Sequence, residues 1–433
     1  MLSNRTTIVA FAAIILVALG VRLAPLLGGS GYLPLTDAAD FDRHAVSIVT
    51  SGQYPDSAIA PGSPTAFRPP GLPLLLAAVY EVSGTSTPRR WKAARLAMVG
   101  LGLATVLLVG LVGGQLWGRK LAMVAAGIAA VYLPFIAIGS SILSESLFIP
   151  LELAALAAVI EQRRRPGWRW AALAGLLTGM AALTRSNGLV LALALAALLW
   201  SRRPRLLPSA LLAPSALLFV TALTIAPWTV RNLTVVHKLV PISTQGGFAL
   251  AGVYNSTARS DPVYPAGWRL PQADPATARF FVPGVTEVAL DQALTSASRG
   301  FIAAHPTYVG EVAFWNALRA FDLLGPGPEA TTAEFLSIDP RLVEYSVYAF
   351  WLLASLALMG ASTRLVREAP LLLWSIPLAF VSSIVLISGL MRYRLPADPF
   401  FILLAALGLV AIAGWLLGPR GLGRRRVSTR VEG

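Results

Sequence analysis

LTDAADFDRHAVSIVTSGQYPDSAIAPGSPTAFRPPGLPLLLAAVY, residues 35–80, decides how the rest of this chain is read. It follows the first long apolar run and sets three carboxylates, Asp37, Asp40 and Asp42, ahead of Arg68 in the run FRPPG. Acids and a basic, proline-stiffened turn just outside a hydrophobic span predict chemistry at a membrane surface.

The surroundings fit that reading. The 433 residues are 56% hydrophobic and 13% charged, against about 25% charged in a soluble globular protein. Apolar runs of roughly 20 residues recur, as in a polytopic helical membrane protein. There is no cysteine, which excludes disulfides and thiolate metal sites. His44, His237 and His305 are too scattered to suggest a histidine metal cluster. The net charge of +14 lies in short clusters between apolar runs, so it reports topology and no nucleic-acid partner is expected.

Apolar length predicts about ten spans, at 7–27, 93–114, 120–138, 142–160, 170–183, 188–200, 207–228, 346–362, 370–388 and 397–417. The first is read as an uncleaved helix, since no small-x-small cleavage site follows it. Arginine clusters at 163–169 and 202–205 flank the two short spans, which makes them a hairpin with Thr184-Arg185-Ser186-Asn187 at its tip. The same positive-inside rule puts Arg5, Arg119, Lys120, Arg364, Arg367 and the basic tail Arg420 to Arg430 on the cytoplasmic side, with both termini. Residues 28–92, 139–144, 231–345 and 389–396 then face outward. The segment 69–83 begins with three prolines, and too little helix follows Pro73 to cross a ~30 Å core. It is read as a helix at the outer interface. Residues 231–345 are rich in Pro, Gly and Asp and read as a small domain or an ordered loop with short helices. No internal repeat is evident.

Helical spacing over 37–50 puts Asp37, Asp40, His44 and Ser47 on one side and Phe41, Ala45 and Ile48 on the other. This describes an interfacial helix whose acids face either water or a cavity. Asp40-Phe41-Asp42 spells D-x-D, but side chains two apart on a helix diverge, so the match is read as chance. Asp42 is expected to be solvated. Glu145 opens a span, where an acid either caps the helix or serves a site. Glu152 is expected to make a polar contact between helices. Arg68, Arg185, Arg392 and Arg394, with Arg95 behind them, lie at outer turns of separate spans. Singly, such arginines anchor lipid headgroups; together they suit an anionic ligand such as phosphate. Trp228 in PWTVRN is expected in an interfacial aromatic belt. Gly246-Gly247 suggests a tight turn, and the glycosylation-like triplets at Asn232 and Asn255 are of a kind that arises by chance.

In this order the residues resemble the GT-C superfamily of membrane glycosyltransferases, similar to the protein O-mannosyltransferase and lipid A aminoarabinose transferase groups. The elements are Asp37 to Phe41, Arg68-Pro69-Pro70-Gly71, Ala94-Arg95-Leu96, Glu145, Leu183-Thr184-Arg185-Ser186-Asn187-Gly188, Pro227 to Asn232, and Arg392 to Pro396. No one of them is specific; the ordered set is. Two departures matter. Phe67 stands where some relatives carry a metal-site Glu, and Asp37-Ala38 stands where protein mannosyltransferases often carry Asp-Glu. A divalent metal and a protein acceptor are therefore not favoured.

The resemblance implies an all-α polytopic fold of GT-C type. Residues 1–230 would form the catalytic module with juxtamembrane helices at about 28–92, 231–345 an extracytoplasmic loop or small domain, and 346–433 the last spans and tail. It implies transfer of a sugar from a polyprenyl-phosphate donor to a hydroxyl of a lipid, glycan or protein acceptor, with inversion, in the cell membrane of a bacterium. Asp37 would be the general base, with Glu145 and Asp40 as supporting acids. Arg68, Arg185 and Arg392, then Arg394 and Arg95, would bind the donor phosphate, and Gln245, Tyr254 and Asn255 would line the acceptor side. A transporter or flippase of a lipid-linked anion shares the arginines, but would favour paired broken helices and a repeat near mid-membrane.

Overall fold

The structure, a computed structural model, describes residues 4–27, 31–201 and 208–416. Arg202, Arg203, Arg205 and the basic tail lie outside the described residues. The chain folds into α1 (Asn4–Leu27), α2 (Thr36–Ser51), α3 (Gly71–Ser83), α4 (Arg89–Trp117), α5 (Arg119–Val131), α6 (Leu133–Gly139), α7 (Glu145–Arg164), α8 (Trp168–Ala182), α9 (Gly188–Trp200) and α10 (Pro208–Val235). The region after α10 supplies α11 (Gln245–Ala251), α12 (Ser256–Ser260), α13 (Pro275–Ala278), α14 (Glu287–Ala304), α15 (Pro306–Ala320) and α16 (Gly327–Ala333). The chain then continues through α17 (Pro340–Ala361), α18 (Ser375–Val385), α19 (Met391–Arg394) and α20 (Asp398–Leu416). No strand occurs among the described residues.

Helices stand at all ten segments where apolar length predicts them. Five are long and apolar enough to span by themselves: α1, α4, α10, α17 and α20. α5 and α6 make a sixth if counted as one span bent by 53°. Pro134 explains the bend, because it has no N–H to return to the Ala130 carbonyl. Arg22, buried on α1, donates to the Ala130 carbonyl at 2.7 Å and to that of Ala129 at 3.0 Å. The helix α3, over 13 residues, is only ~20 Å long, too short to cross.

α2 forms where the spacing predicts it. It ends at Gly52, whose φ of 70° lets the chain leave the helix while its N–H returns to the Ile48 carbonyl. Its apolar face, Ala38, Phe41 and Ala45, packs with Leu72, Leu76 and Tyr80 of α3 and with Ala94 and Met98 of α4. The main core runs through α4 to α9, α17 and α20. The region 231–345 is a set of short helices, with α11 packed on α14. Gly246 and Gly247 do not form a turn. Both lie within α11, and a Cβ on Gly247 would stand 2.2 Å from the Asp291 carbonyl oxygen, so the pair permits close helix packing.

Candidate functional site

Asp37 and Asp40 sit in the first turns of α2, one helical turn apart on the same face. Thr36, just before them, holds a φ of 40°, a conformation that strains a β-branched residue. Two contacts fix it: Thr36 Oγ1 donates to the Phe335 carbonyl at 2.5 Å, and the Leu35 N–H donates to Ser337 Oγ at 2.8 Å. The start of α2 is thus clamped by a segment 299 to 302 residues away in sequence.

Arg68 reaches both acids. Its Nε donates to Asp40 Oδ2 at 2.7 Å and its Nη2 to Asp37 Oδ1 at 2.7 Å. Arg392, on α19, takes the other oxygen of Asp37 at 2.8 Å, and its Nε donates to Glu145 Oε1 at 2.8 Å. Arg185, at the α8–α9 tip, meets the same Glu145 oxygen at 2.6 Å and donates to Ser144 Oγ at 2.9 Å. The result is one unbroken alternation: Asp40, Arg68, Asp37, Arg392, Glu145, Arg185. Arg43 adds a cation at the Asp40 end, 2.9 Å away. The tip that carries Arg185 is tight, since a Cβ on Gly188 would lie 2.3 Å from the Ala182 nitrogen.

Charge decides the state of the acids. Burial pushes the Asp37 carboxyl up, but Arg68 and Arg392 outweigh it and hold it well below the usual carboxylate range. Burial also opposes ionisation of Asp40, and its contacts to His44 and Arg68 win there too. Arg68 and Arg392, which burial alone would lower, are raised by the carboxylates around them. Asp37, Asp40, Arg68 and Arg392 are therefore charged at neutral pH.

Five of these side chains, with Gln245, line a cavity of about 1080 Å³: Asp37, Asp40, Arg68, Arg185 and Arg392. Glu145 lies just behind, fully buried, with Ser144 at the wall. An apolar groove of about 560 Å³ lies between α9 and α10, lined by Leu189, Leu193, Leu218 and Ile225 among others.

Several expected residues go elsewhere. Arg95 does not reach the cavity: it donates to the carbonyls of Ser140 (2.8 Å) and Pro25 (3.0 Å), tying the end of α1 to α4. Arg394 is fully buried against Asp322, at 2.7 Å, and Asp398, at 3.0 Å. Tyr254 donates to the Leu386 carbonyl at 2.9 Å, and Asn255 caps α12, so neither faces the cavity. Asp42 is not solvated; it is buried, accepting from Tyr80 at 2.7 Å and from Arg90 at 2.9 Å. It points away from Asp40, as the D-x-D geometry requires. His44 is buried against the Tyr54 ring rather than facing water. Among the described residues Glu152 makes no polar contact with a neighbouring helix: neither carboxylate oxygen has a hydrogen-bond partner there. Trp228 is a brace, not a free belt residue, since its indole N–H donates to the Ile242 carbonyl at 2.7 Å. Asn232 is buried and donates to the Val240 carbonyl at 2.9 Å.

Glu287 has no signal in the sequence pattern, yet it holds two walls of the cavity. It accepts from Thr65 Oγ1 at 2.6 Å, the Ala66 N–H at 2.7 Å and Thr244 Oγ1 at 2.6 Å. It thereby staples the loop bearing Arg68 to the strand of chain that leads into Gln245. The cavity carboxylates are paired with guanidiniums, and among the described residues no group of three His, Asp or Glu gathers as metal ligands.

Residues 67–230 match the family described as dolichyl-phosphate-mannose-protein mannosyltransferase. No curated protein sequence matches the chain. Among solved structures, the apo oligosaccharyltransferase of Archaeoglobus fulgidus is similar, with a TM-score of 0.60 and 14% identity over 95% of this chain and 51% of that one. The same archaeal enzyme, AglB, in complex with an inhibitory peptide and a dolichol-phosphate gives 0.57 and 12%, over 93% of this chain and 50% of that one. ArnT of Cupriavidus metallidurans bound to undecaprenyl phosphate gives 0.42 and 16%, over 95% and 78%. This chain spans about half the length of the archaeal enzyme. Its fold is that of the GT-C membrane glycosyltransferases.

Proposed function

We propose that this GT-C-fold chain transfers a sugar from a polyprenyl-phosphate donor to an acceptor hydroxyl, with inversion, on the outer side of a cell membrane. One observation carries the reading: a carboxylate held between two arginines, Asp37 between Arg68 and Arg392, on the wall of a cavity of about 1080 Å³. The family match over residues 67–230, and the dolichol-phosphate held by the archaeal enzyme of like fold, support a lipid-phosphate donor.

In this reading the donor tail lies in the α9–α10 groove and its phosphate reaches Arg185, Arg392 and Arg68. The acceptor oxygen forms a bond to the anomeric carbon as its proton passes to Asp37. The bond from that carbon to the phosphate oxygen breaks, and the electron pair leaves on the polyprenyl phosphate, where the guanidiniums stabilise it. Glu145 orients Arg392 and Arg185. Clamped by two arginines, Asp37 is a feeble proton acceptor. A phosphate that draws off Arg68 and Arg392 restores its basicity at the moment it is needed. The basic loops support cytoplasmic termini and an outward-facing site.

The test is the full chain reconstituted in vesicles with a radiolabelled polyprenyl-phosphate sugar. Transfer of label to an acceptor supports the proposal. Movement of unchanged lipid between leaflets, with no transfer, overturns it in favour of a flippase.

A further inference from the structure

The cavity has two unlike walls. One is the charged ladder. The other is aromatic: Phe248 and Trp268 come from the chain after α10, outside the family match, and Phe67 from the loop before α3. Phe67, Phe248 and Trp268 line it as a contiguous chain of rings, with centroids 5.5 Å apart for the first pair and 5.8 Å for the second. The chain runs straight into the ladder, because the Arg68 guanidinium lies over the Phe67 ring at 5.1 Å and over Phe41 at 5.0 Å.

This wall is built, not incidental. Trp268 donates its indole N–H to the Ala249 carbonyl at 3.2 Å. Its ring lies flush on Gly252, where a Cβ would come 2.1 Å from the indole nitrogen, so no other residue lets Trp268 take this position. Arg269, beside it, is tied to Asp261 and brings no free charge. Gln245 and Asn187 line the same space, and neither side-chain amide is paired with a described residue.

We propose that Phe67, Phe248 and Trp268, with the amides of Gln245 and Asn187, form the acceptor subsite, and that it takes a saccharide ring. The proposal rests on the reading of the Asp37 end as the transfer centre. The C–H face of a sugar ring packs on aromatic faces, while an amide offers both a donor and an acceptor to neighbouring hydroxyls. A volume of about 1080 Å³ is at the top of the range for small-molecule sites, with room for an acceptor beside a phosphate and its sugar. A lipid acceptor would call for an aliphatic groove, and that groove is the separate one between α9 and α10. A peptide added as a strand would need a sheet edge, and this wall contains no strand among the described residues.

The experiment is saturation-transfer NMR on the full chain in detergent micelles, with neutral trisaccharides and a Ser/Thr-containing hexapeptide as separate probes. Ring C–H protons of a trisaccharide should receive saturation from the wild-type protein. Trp268→Ala and Phe248→Ala should each weaken that binding roughly tenfold. Trp268→Phe should retain most of it, and Gly252→Ala, which displaces the indole without removing it, should lose it. Polyprenyl monophosphate affinity should stay unchanged in all four, which also shows that each variant folds. Saccharide binding that ignores the wall variants, binding of the peptide alone, or binding of neither overturns the subsite. Failure of the transfer reading has a different signature: saccharide binding that tracks the wall, in a protein that never transfers sugar.

Discussion

Arg392 and Arg394 lie on the same four-residue helix, α19, and both are paired to two acids, yet they do opposite things. Arg392 lines the cavity and shares its guanidinium between Asp37 and Glu145. Arg394 is 0% exposed, stacks over the Phe350 ring at 3.4 Å, and is shut in with Asp322, Asp398 and Tyr132. Residue type and charge pairing are alike in the two clusters. What separates them is open volume. A charged cluster can act on a ligand only where the fold leaves space beside it, and the sealed cluster instead anchors α19 so that Arg392 projects correctly.

The sharpest way to break this comparison is to remove one acid from the open cluster. Asp37→Asn should lower sugar transfer by about 100- to 10,000-fold, the range for a lost general base. Its thermal melting should stay near wild type, because the amide keeps the shape and the arginines keep their other acids. Transfer at the wild-type rate would remove Asp37 from the chemistry.

The matching change in the sealed cluster should act on folding. Arg394→Ala leaves Asp322 and Asp398 buried without their cation, a loss of about 3–5 kcal/mol. We expect a lower melting temperature and little folded protein in detergent, whereas Arg392→Ala should fold and lose affinity for polyprenyl phosphate. Equal destabilisation by both variants would mean that the clusters do not differ in kind.

Much of this arrangement is legible in the sequence. Periodicity placed α2 and its two acids, and span counting with the arginine clusters placed the α8–α9 hairpin and Arg185 at its tip. What the sequence could not separate was Arg392 from Arg394, or Asp40 from Asp42. Two residues apart, their side chains diverge, and which one meets a cavity depends on packing from α16, α17 and the chain near 335. Glu287 was illegible for a related reason. Its partners lie 221 and 43 residues away in sequence, so no local pattern marks it. Glu152 shows the converse, a conspicuous acid in a span that meets no polar partner among the described residues.

The sealed cluster should also report on pH. Glu329, which accepts the Met391 N–H at 2.9 Å at the start of α19, is pushed up to about 8 by burial first and by Asp322 second. A folded-state value above the unfolded one means that the folded chain holds the proton more tightly. The associated stability is full below the unfolded value, near 4.5, and is lost as pH rises through about 8. Melting temperature should therefore fall across that window, and Glu329→Gln should flatten the slope. An unchanged slope in the variant would show that Glu329 does not carry it. The open cluster predicts no such loss, since Asp37 and Asp40 are held low.

The smallest effect distinguishes the clusters most finely. In the open one, Asp37 occupies N–H groups of Arg68 and Arg392 that a phosphate would also seek. Neutralising it should therefore tighten the binding of polyprenyl monophosphate, by roughly three- to tenfold for an exposed-to-half-buried charge contact of about 1 kcal/mol. Reciprocity requires the converse: bound phosphate must raise the proton affinity of Asp37, so binding near pH 4 should take up protons from the buffer in the wild type and less in Asp37→Asn. Asp398→Asn, in the sealed cluster, should leave phosphate affinity where it was in whatever fraction folds. If Asp37→Asn binds phosphate more weakly than wild type, then the carboxylate organises the arginines for the ligand instead of competing with it, and the coupling between donor arrival and base release has the wrong sign.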